Sequence, residues 1–190
     1  MKALLIYATA LFTSLSAMAS DSVFLISAEK DKVMVIDLKS TLGRDVKVTI
    51  VDLKNDIVFG EQFKAKAPER RYNLSKLNTG TFTVIVEEEN KISYQRVYLS
   101  KNSLLIDNDI DEIVKPAILT KDNLWCLKGV NTKYTGNVAI IDTDGNRIFN
   151  DQIKTGDNEK VYNVSKLRAG EYTMMYTVNG KSFRYNLNKK

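Results

Sequence analysis

Few side chains in this sequence could do chemistry, and their types exclude more than they allow. No histidine occurs among the 190 residues. That removes Ser-His-Asp and Cys-His catalysis and imidazole metal sites together. The single cysteine, Cys126, has no second thiol for an intrachain disulfide or a thiolate zinc site. It lies in the strand-like run Leu124-Trp125-Cys126-Leu127, where a small buried apolar side chain is a simpler reading than a reactive thiol. Asp142-Thr143-Asp144-Gly145-Asn146 resembles the start of a calcium loop, but the further oxygen ligands and the glutamate at fixed spacing are missing. Asp52-Leu53-Lys54-Asn55-Asp56 puts a lysine inside the corresponding run, so both read as hairpin turns. The acidic run Asp107-Asn108-Asp109-Ile110-Asp111-Glu112 reads as a solvated linker rather than a cation site. No phosphate-cradling glycine loop occurs, and no carboxylate pair is singled out for glycoside hydrolysis. The expectation is a protein that is not an enzyme and holds no cofactor and no metal.

What positions these residues is a stretch that occurs twice. Tyr72-Asn73-Leu74-Ser75-Lys76-Leu77-Asn78-Thr79-Gly80-Thr81-Phe82-Thr83 returns as Tyr162-Asn163-Val164-Ser165-Lys166-Leu167-Arg168-Ala169-Gly170-Glu171-Tyr172-Thr173. The spacing holds without a gap from Asp52/Asp142 through Thr83/Thr173. A repeat this regular means two copies of one structural unit. Leu77 and Leu167 precede a turn, and Gly80 and Gly170 follow it, where glycine most simply supplies a conformation that other residues avoid. The element reads as strand, tight corner, strand. Tyr72 and Tyr162 either anchor the corner through their hydroxyls, as in the tyrosine corner of sandwiches, or simply pack their rings. The Asn-x-Ser triplets at Asn73 and Asn163 match a glycosylation acceptor, but the repeat itself explains their recurrence.

Around the signature, short segments rich in Val, Ile, Tyr and Phe alternate with turn residues. In the first copy they fall at 23–26, 33–36, 46–50, 57–63, 70–72, 81–86 and 92–99. In the second they fall at 117–119, 124–127, 138–141, 147–153, 171–178 and 182–187. Period-two alternation and the Asp144-Gly145 and Asn179-Gly180 turns predict an all-β fold of two tandem seven-stranded immunoglobulin-like sandwiches. The expected organisation is a signal peptide over 1–19, one sandwich over 20–101, a linker over 102–114 and a second sandwich over 115–190. The 102–114 stretch precedes Pro116, which disfavours a central strand, so it is a linker or an edge.

The composition is 44% hydrophobic and 27% charged with net charge +5, ordinary for globular domains. The basic residues are interspersed with acidic ones, which argues against a nucleic-acid groove. Lys2, an apolar stretch over 3–12 and Ala17-Met18-Ala19 form a secretory leader cleaved before Ser20. The apolar stretch is too short to span a membrane.

The second copy resembles the C-terminal sorting domains of type IX secretion. The resemblance rests on Val138-Ala139-Ile140-Ile141-Asp142-Thr143-Asp144-Gly145-Asn146, on the signature from Tyr162 to Tyr172, on Val178-Asn179-Gly180-Lys181, and on Lys189-Lys190. It implies an immunoglobulin-like sandwich recognised by outer-membrane secretion machinery, then removed or linked to the cell surface. Asp21-Ser22-Val23 is similar to a short O-glycosylation motif of the same bacteria, with Ser22 as acceptor. The sequence therefore predicts an exported, non-enzymatic protein-interaction module in the periplasm, at the cell surface or outside the cell. Its partner would be a protein, with neither nucleic acid nor a membrane span in the mature chain. The rival functions are a structural or adhesive spacer, and a small-ligand carrier or enzyme with an acidic cleft.

Overall fold

The computed structural model describes residues 26–130 and 133–190. The expected leader over 1–19 and the candidate acceptor Ser22 lie outside the described residues. The described chain is built of strands and turns, with single 3-10 turns at Lys30–Lys32 and Lys39–Thr41. It divides into two compact units between Ile113 and Val114.

The first unit contains β1 (Ile26–Glu29), β2 (Val33–Asp37), β3 (Asp45–Asp52), β4 (Ile57–Lys64), β5 (Glu69–Asn73), β6 (Gly80–Glu87), β7 (Lys91–Leu99) and β8 (Leu104–Val114). One sheet has the order β1-β2-β5 and the other β4-β3-β6-β7-β8. The chain crosses between sheets after β2, after β4 and after β5. Alternation in β3 and β6 turns Val46, Val48, Ile50, Val84 and Val86 inward, into one core with Met34 and Ile36 of the facing sheet and Leu74 just after β5. Burial of such side chains stabilises by about 1.5–3 kcal/mol each before entropy is counted.

The second unit contains β9 (Ala117–Lys121), β10 (Leu124–Lys128), β11 (Gly136–Ile141), β12 (Arg147–Ile153), β13 (Glu159–Asn163), β14 (Gly170–Val178) and β15 (Lys181–Lys189). Its sheets are β13-β10-β9 and β12-β11-β14-β15. The registers repeat those of the first unit. Val48 faces Glu61 and Ile50 faces Phe59, while Val138 faces Asp151 and Ile140 faces Phe149. Both ladders slip at the next residue, which is where the β3–β4 and β11–β12 hairpins turn.

Three expectations bear on particular elements. The first described strand runs over Ile26–Glu29, and residues 23–25 of the expected 23–26 strand lie outside the described residues. Of the linker or edge expected over 102–114, the structure forms the edge: Leu104–Val114 is β8, beside β7. Leu104 and Ile106 join the first core, and the Asp107 and Glu112 carboxylates face polar groups of β7, so this charge is housed at a sheet edge. The first sandwich therefore has one strand more than the seven expected. Third, Asp144-Gly145 does not form a two-residue turn. Asp142 N–H donates to the Asn146 carbonyl at 3.0 Å, which closes a loop of three residues. Gly145 has φ +81° and Asn55 has φ +65° at the matching place, so each loop needs the positive φ at its last residue only.

Candidate functional site

The signature corner is the feature built twice, and its local chemistry is visible residue by residue. Asn73 Oδ1 accepts the Ser75 N–H at 2.9 Å, and Asn163 Oδ1 accepts the Ser165 N–H at 3.0 Å. These Asx turns account for Asn-x-Ser without any sugar. The Leu77 N–H donates to the Leu74 carbonyl and the Leu167 N–H to the Val164 carbonyl, each at 3.0 Å. Leu77 and Leu167 are half-buried. Gly170 has φ +149°, a conformation that only glycine adopts without strain. Gly80 is outside the left-handed region, so the glycine argument holds for the second corner and not the first.

Neither Tyr72 nor Tyr162 anchors its corner through backbone. Both rings pack edge-to-face on a phenylalanine of the facing sheet, Phe59–Tyr72 at 5.4 Å and Phe149–Tyr162 at 5.6 Å between centroids. The Tyr162 hydroxyl donates to Asp151 Oδ2 at 3.3 Å, and Lys160 Nζ lies 3.4 Å from the same oxygen. In the first copy Arg70 pairs with Glu61 beside Tyr72, whose buried hydroxyl has no hydrogen-bond partner. Burial pushes both phenols up, helped by Glu61 at Tyr72 and by Asp151 at Tyr162. The backbone anchor is a different residue. The Tyr172 hydroxyl donates to the Arg168 carbonyl at 2.9 Å, four residues upstream, which is tyrosine-corner geometry. The signal was the aromatic that follows Gly170. The first copy has Phe82 there and cannot make the bond.

The remaining chemistry-bearing residues are engaged structurally. Asp142 Oδ1 accepts the N–H groups of Asp144 and Asn146 at 3.0 and 2.8 Å, and Asp52 Oδ1 accepts those of Lys54 and Asp56 at 2.8 and 3.0 Å. The carboxylates of the calcium-like runs thus cap their own turns. Cys126 is fully buried, and burial raises its thiol pKa, the direction opposite to activation. Among the described residues no group of three or more acidic or sulfur side chains is arranged to hold a metal ion. A cleft of about 590 Å³ lies between β4 and β5, lined by Phe59, Glu61, Pro68 and Arg70 among others. Its carboxylates are paired, Glu61 with Arg70 and Glu69 with Arg71, so they offer no free acid–base couple.

Strand edges differ between the copies. The β7 side of the first unit is closed by β8. Gln95 Nε2 donates to the Asp107 carbonyl at 2.6 Å, the Ser93 hydroxyl to Glu112 at 3.2 Å, and the Tyr98 hydroxyl to Asp107 at 3.2 Å. Lys91 Nζ lies 2.9 Å from Glu112. Hydrogen bonding to the Asp109 N–H, then to Tyr98, with Arg96 nearby, holds the Asp107 carboxyl below its ordinary range. In the second unit β15 is the last strand of its sheet, with no described strand beyond it. Among the described residues no helix is long and apolar enough to cross a membrane.

Comparison with known proteins adds the following. The profile of a family described as the secretion system C-terminal sorting domain matches residues 29–100 and 123–187. No curated protein matches the sequence. Among solved structures, the BSP domain of a biofilm associated protein aligns at 14% identity and TM-score 0.31, over 88% of this chain. This chain spans 29% of that one. A two-domain fibronectin type-III segment of chicken tenascin aligns at 6% identity and TM-score 0.33, over 88% of this chain and 98% of that one. Superpositions this loose carry no argument about function.

Proposed function

The chain belongs to the secretion system C-terminal sorting domain family, and from that membership we propose that it is an exported, non-enzymatic protein-interaction module, handled by outer-membrane machinery of the type IX class. The family implies a secreted or cell-surface protein. The observation that carries the proposal is the double match, over 29–100 and 123–187, each stretch spanning one signature corner. The corner residues Tyr72, Leu77, Gly80, Tyr162, Leu167 and Gly170 act as shape determinants of the sandwich end rather than as reacting groups. Recognition uses strand edges and sandwich ends, where unpaired backbone groups are available to a partner. The segment over 1–19 directs export from the cytoplasm.

The test follows the protein through fractions of its native cell by immunoblot. The expected result is arrival at the surface or in the medium, lost when residues 138–190 are deleted and equally lost when the secretion machine is removed. A protein that stays periplasmic at full mature length in intact cells contradicts the proposal.

A further inference from the structure

The two units solve one problem in two ways, and among the described residues the second leaves a sheet edge open. In the first unit β7 does not end the sheet, because the chain turns at Ser100–Ser103 and lays β8 alongside. β8 reads Leu-Leu-Ile-Asp-Asn-Asp-Ile-Asp-Glu-Ile-Val, with four carboxylates and no basic residue. The strand it covers presents Lys91 to Glu112 and Arg96 to Asp107. In the second unit β15 reads Lys-Ser-Phe-Arg-Tyr-Asn-Leu-Asn-Lys, followed by Lys190, with no acidic residue at all. Its one described strand neighbour is β14, whose single acid, Glu171, sits opposite Asn188. The register identifies which backbone groups are open. Val178 faces Lys181 across the two-residue Asn179-Gly180 turn, and both turn residues have positive φ. In such a hairpin the closing pair is hydrogen-bonded and the pairing alternates from there. The N–H and C=O groups of Ser182, Arg184, Asn186 and Asn188 therefore point away from β14, and their side chains are exposed.

We propose that the outer edge of β15 is a docking site for an extended acidic segment of a partner protein, which adds a fifth strand to the β12-β11-β14-β15 sheet as β8 does in the first unit. The proposal rests on the chain being a protein-interaction module and names the edge and the chemistry of its partner. Backbone pairing supplies the affinity, and the Lys181, Arg184, Lys189 and Lys190 charges select carboxylates. A second copy of this chain is a poorer occupant. Antiparallel pairing of two β15 strands about Tyr185 sets Lys181 opposite Lys189, like charges directly across a ladder.

The test uses the purified chain and a synthetic peptide with the 104–114 sequence, beside a control peptide carrying Asn and Gln in place of its carboxylates. Binding is followed by fluorescence anisotropy, and amide hydrogen exchange locates it. The acidic peptide is expected to slow exchange at Ser182, Arg184, Asn186 and Asn188. Its affinity should fall about tenfold or more with the neutral control or between about 50 mM and 500 mM salt. Asn186→Pro removes one outward N–H at an edge, where proline is tolerated, and should abolish binding at an unchanged melting temperature. Arg184→Glu leaves the backbone intact and should weaken binding about tenfold, which serves if the proline variant fails to fold. Equal affinity for the two peptides, protection elsewhere than β15, indifference to both variants, or β15-dependent dimers without peptide would overturn the proposal. None of these readouts involves the secretion machine, so the export proposal can fail while this one stands, and the reverse.

Discussion

Strands β7 and β15 hold the same place in their repeats, yet among the described residues one is covered and the other is open. On β7 the inward positions nearest the turn are Lys91, Ser93 and Gln95, all buried. Such polar side chains are tolerated inside because β8 supplies their partners, Glu112 and the Asp107 carbonyl. On β15 the matching positions after Lys181 are Phe183 and Tyr185. Phe183 stacks on Tyr176 at 6.3 Å, and the Tyr185 hydroxyl donates to the Pro116 carbonyl at 2.6 Å. The first sandwich finishes its sheet with an extra strand, and the second fills the same region with rings. The lesson is that a duplicated unit can diverge most at its last strand, because the core behind it is already complete.

The ring-filled solution can be broken hardest at Gly136. A Cβ there would lie 2.3 Å from Tyr176 Cε2, so the glycine exists to admit the ring. The first copy has Val46 and Val86 at these two places. Gly136→Val should destabilise the second unit by about 3 kcal/mol, and Tyr176→Val by a similar amount through a cavity. Together they rebuild the valine pair of the first copy and should cost clearly less than the sum, as a double-mutant cycle in denaturant would show. Additive losses would break the equivalence of the two sites.

The corner glycines give the next largest contrast. Gly170→Ala should cost about 1–2 kcal/mol, because φ +149° strains any L side chain. Gly80→Ala should be close to neutral, since its Cβ would meet Phe82 at an ordinary 3.9 Å. Unfolding midpoints of the two variants decide this. Smaller again is the hydroxyl contrast. Tyr162→Phe and Tyr172→Phe each remove a hydrogen bond and should cost about 1 kcal/mol, whereas Tyr72→Phe removes a buried hydroxyl without a partner and should be neutral or slightly stabilising.

The mildest comparison is alkaline. Burial, then Glu87 and Asp111, push Tyr94 up to about 12, while burial and Tyr176 push Tyr185 up to about 12. A raised folded pKa means the native state holds the proton more tightly, so this stability is present below pH 10 and is lost as pH rises from about 10 towards 12. Tyr94→Phe and Tyr185→Phe should each flatten the loss over that window in a pH series of melting temperatures. At neutral pH only Tyr185→Phe should be destabilising, because only that hydroxyl has a partner.

Much of this was legible in the residues. Alternation over 46–50 and 81–86 announced strands with one buried face, and the gapless signature announced two copies. The pairing of β8 with β7 was not legible, because Asp107 and Glu112 look solvated until Lys91, Arg96 and the Tyr98 hydroxyl appear beside them in space. Tyr72 and Tyr162 read either as corner anchors or as packed rings, and the hydroxyl that reaches a backbone carbonyl belongs to Tyr172. Sequence shows an aromatic at all of these positions, and only the fold shows which one reaches a carbonyl. Gly170 takes a positive φ and Gly80 does not, since identical letters do not fix identical dihedrals.

The difference between the two last strands is measured most directly by amide hydrogen exchange on the intact chain. Slow exchange is expected at the outward amides Tyr94 and Arg96, which β8 covers, and fast exchange at Arg184 and Asn186, beyond which no described strand lies. Equal protection at the two sets would contradict that difference.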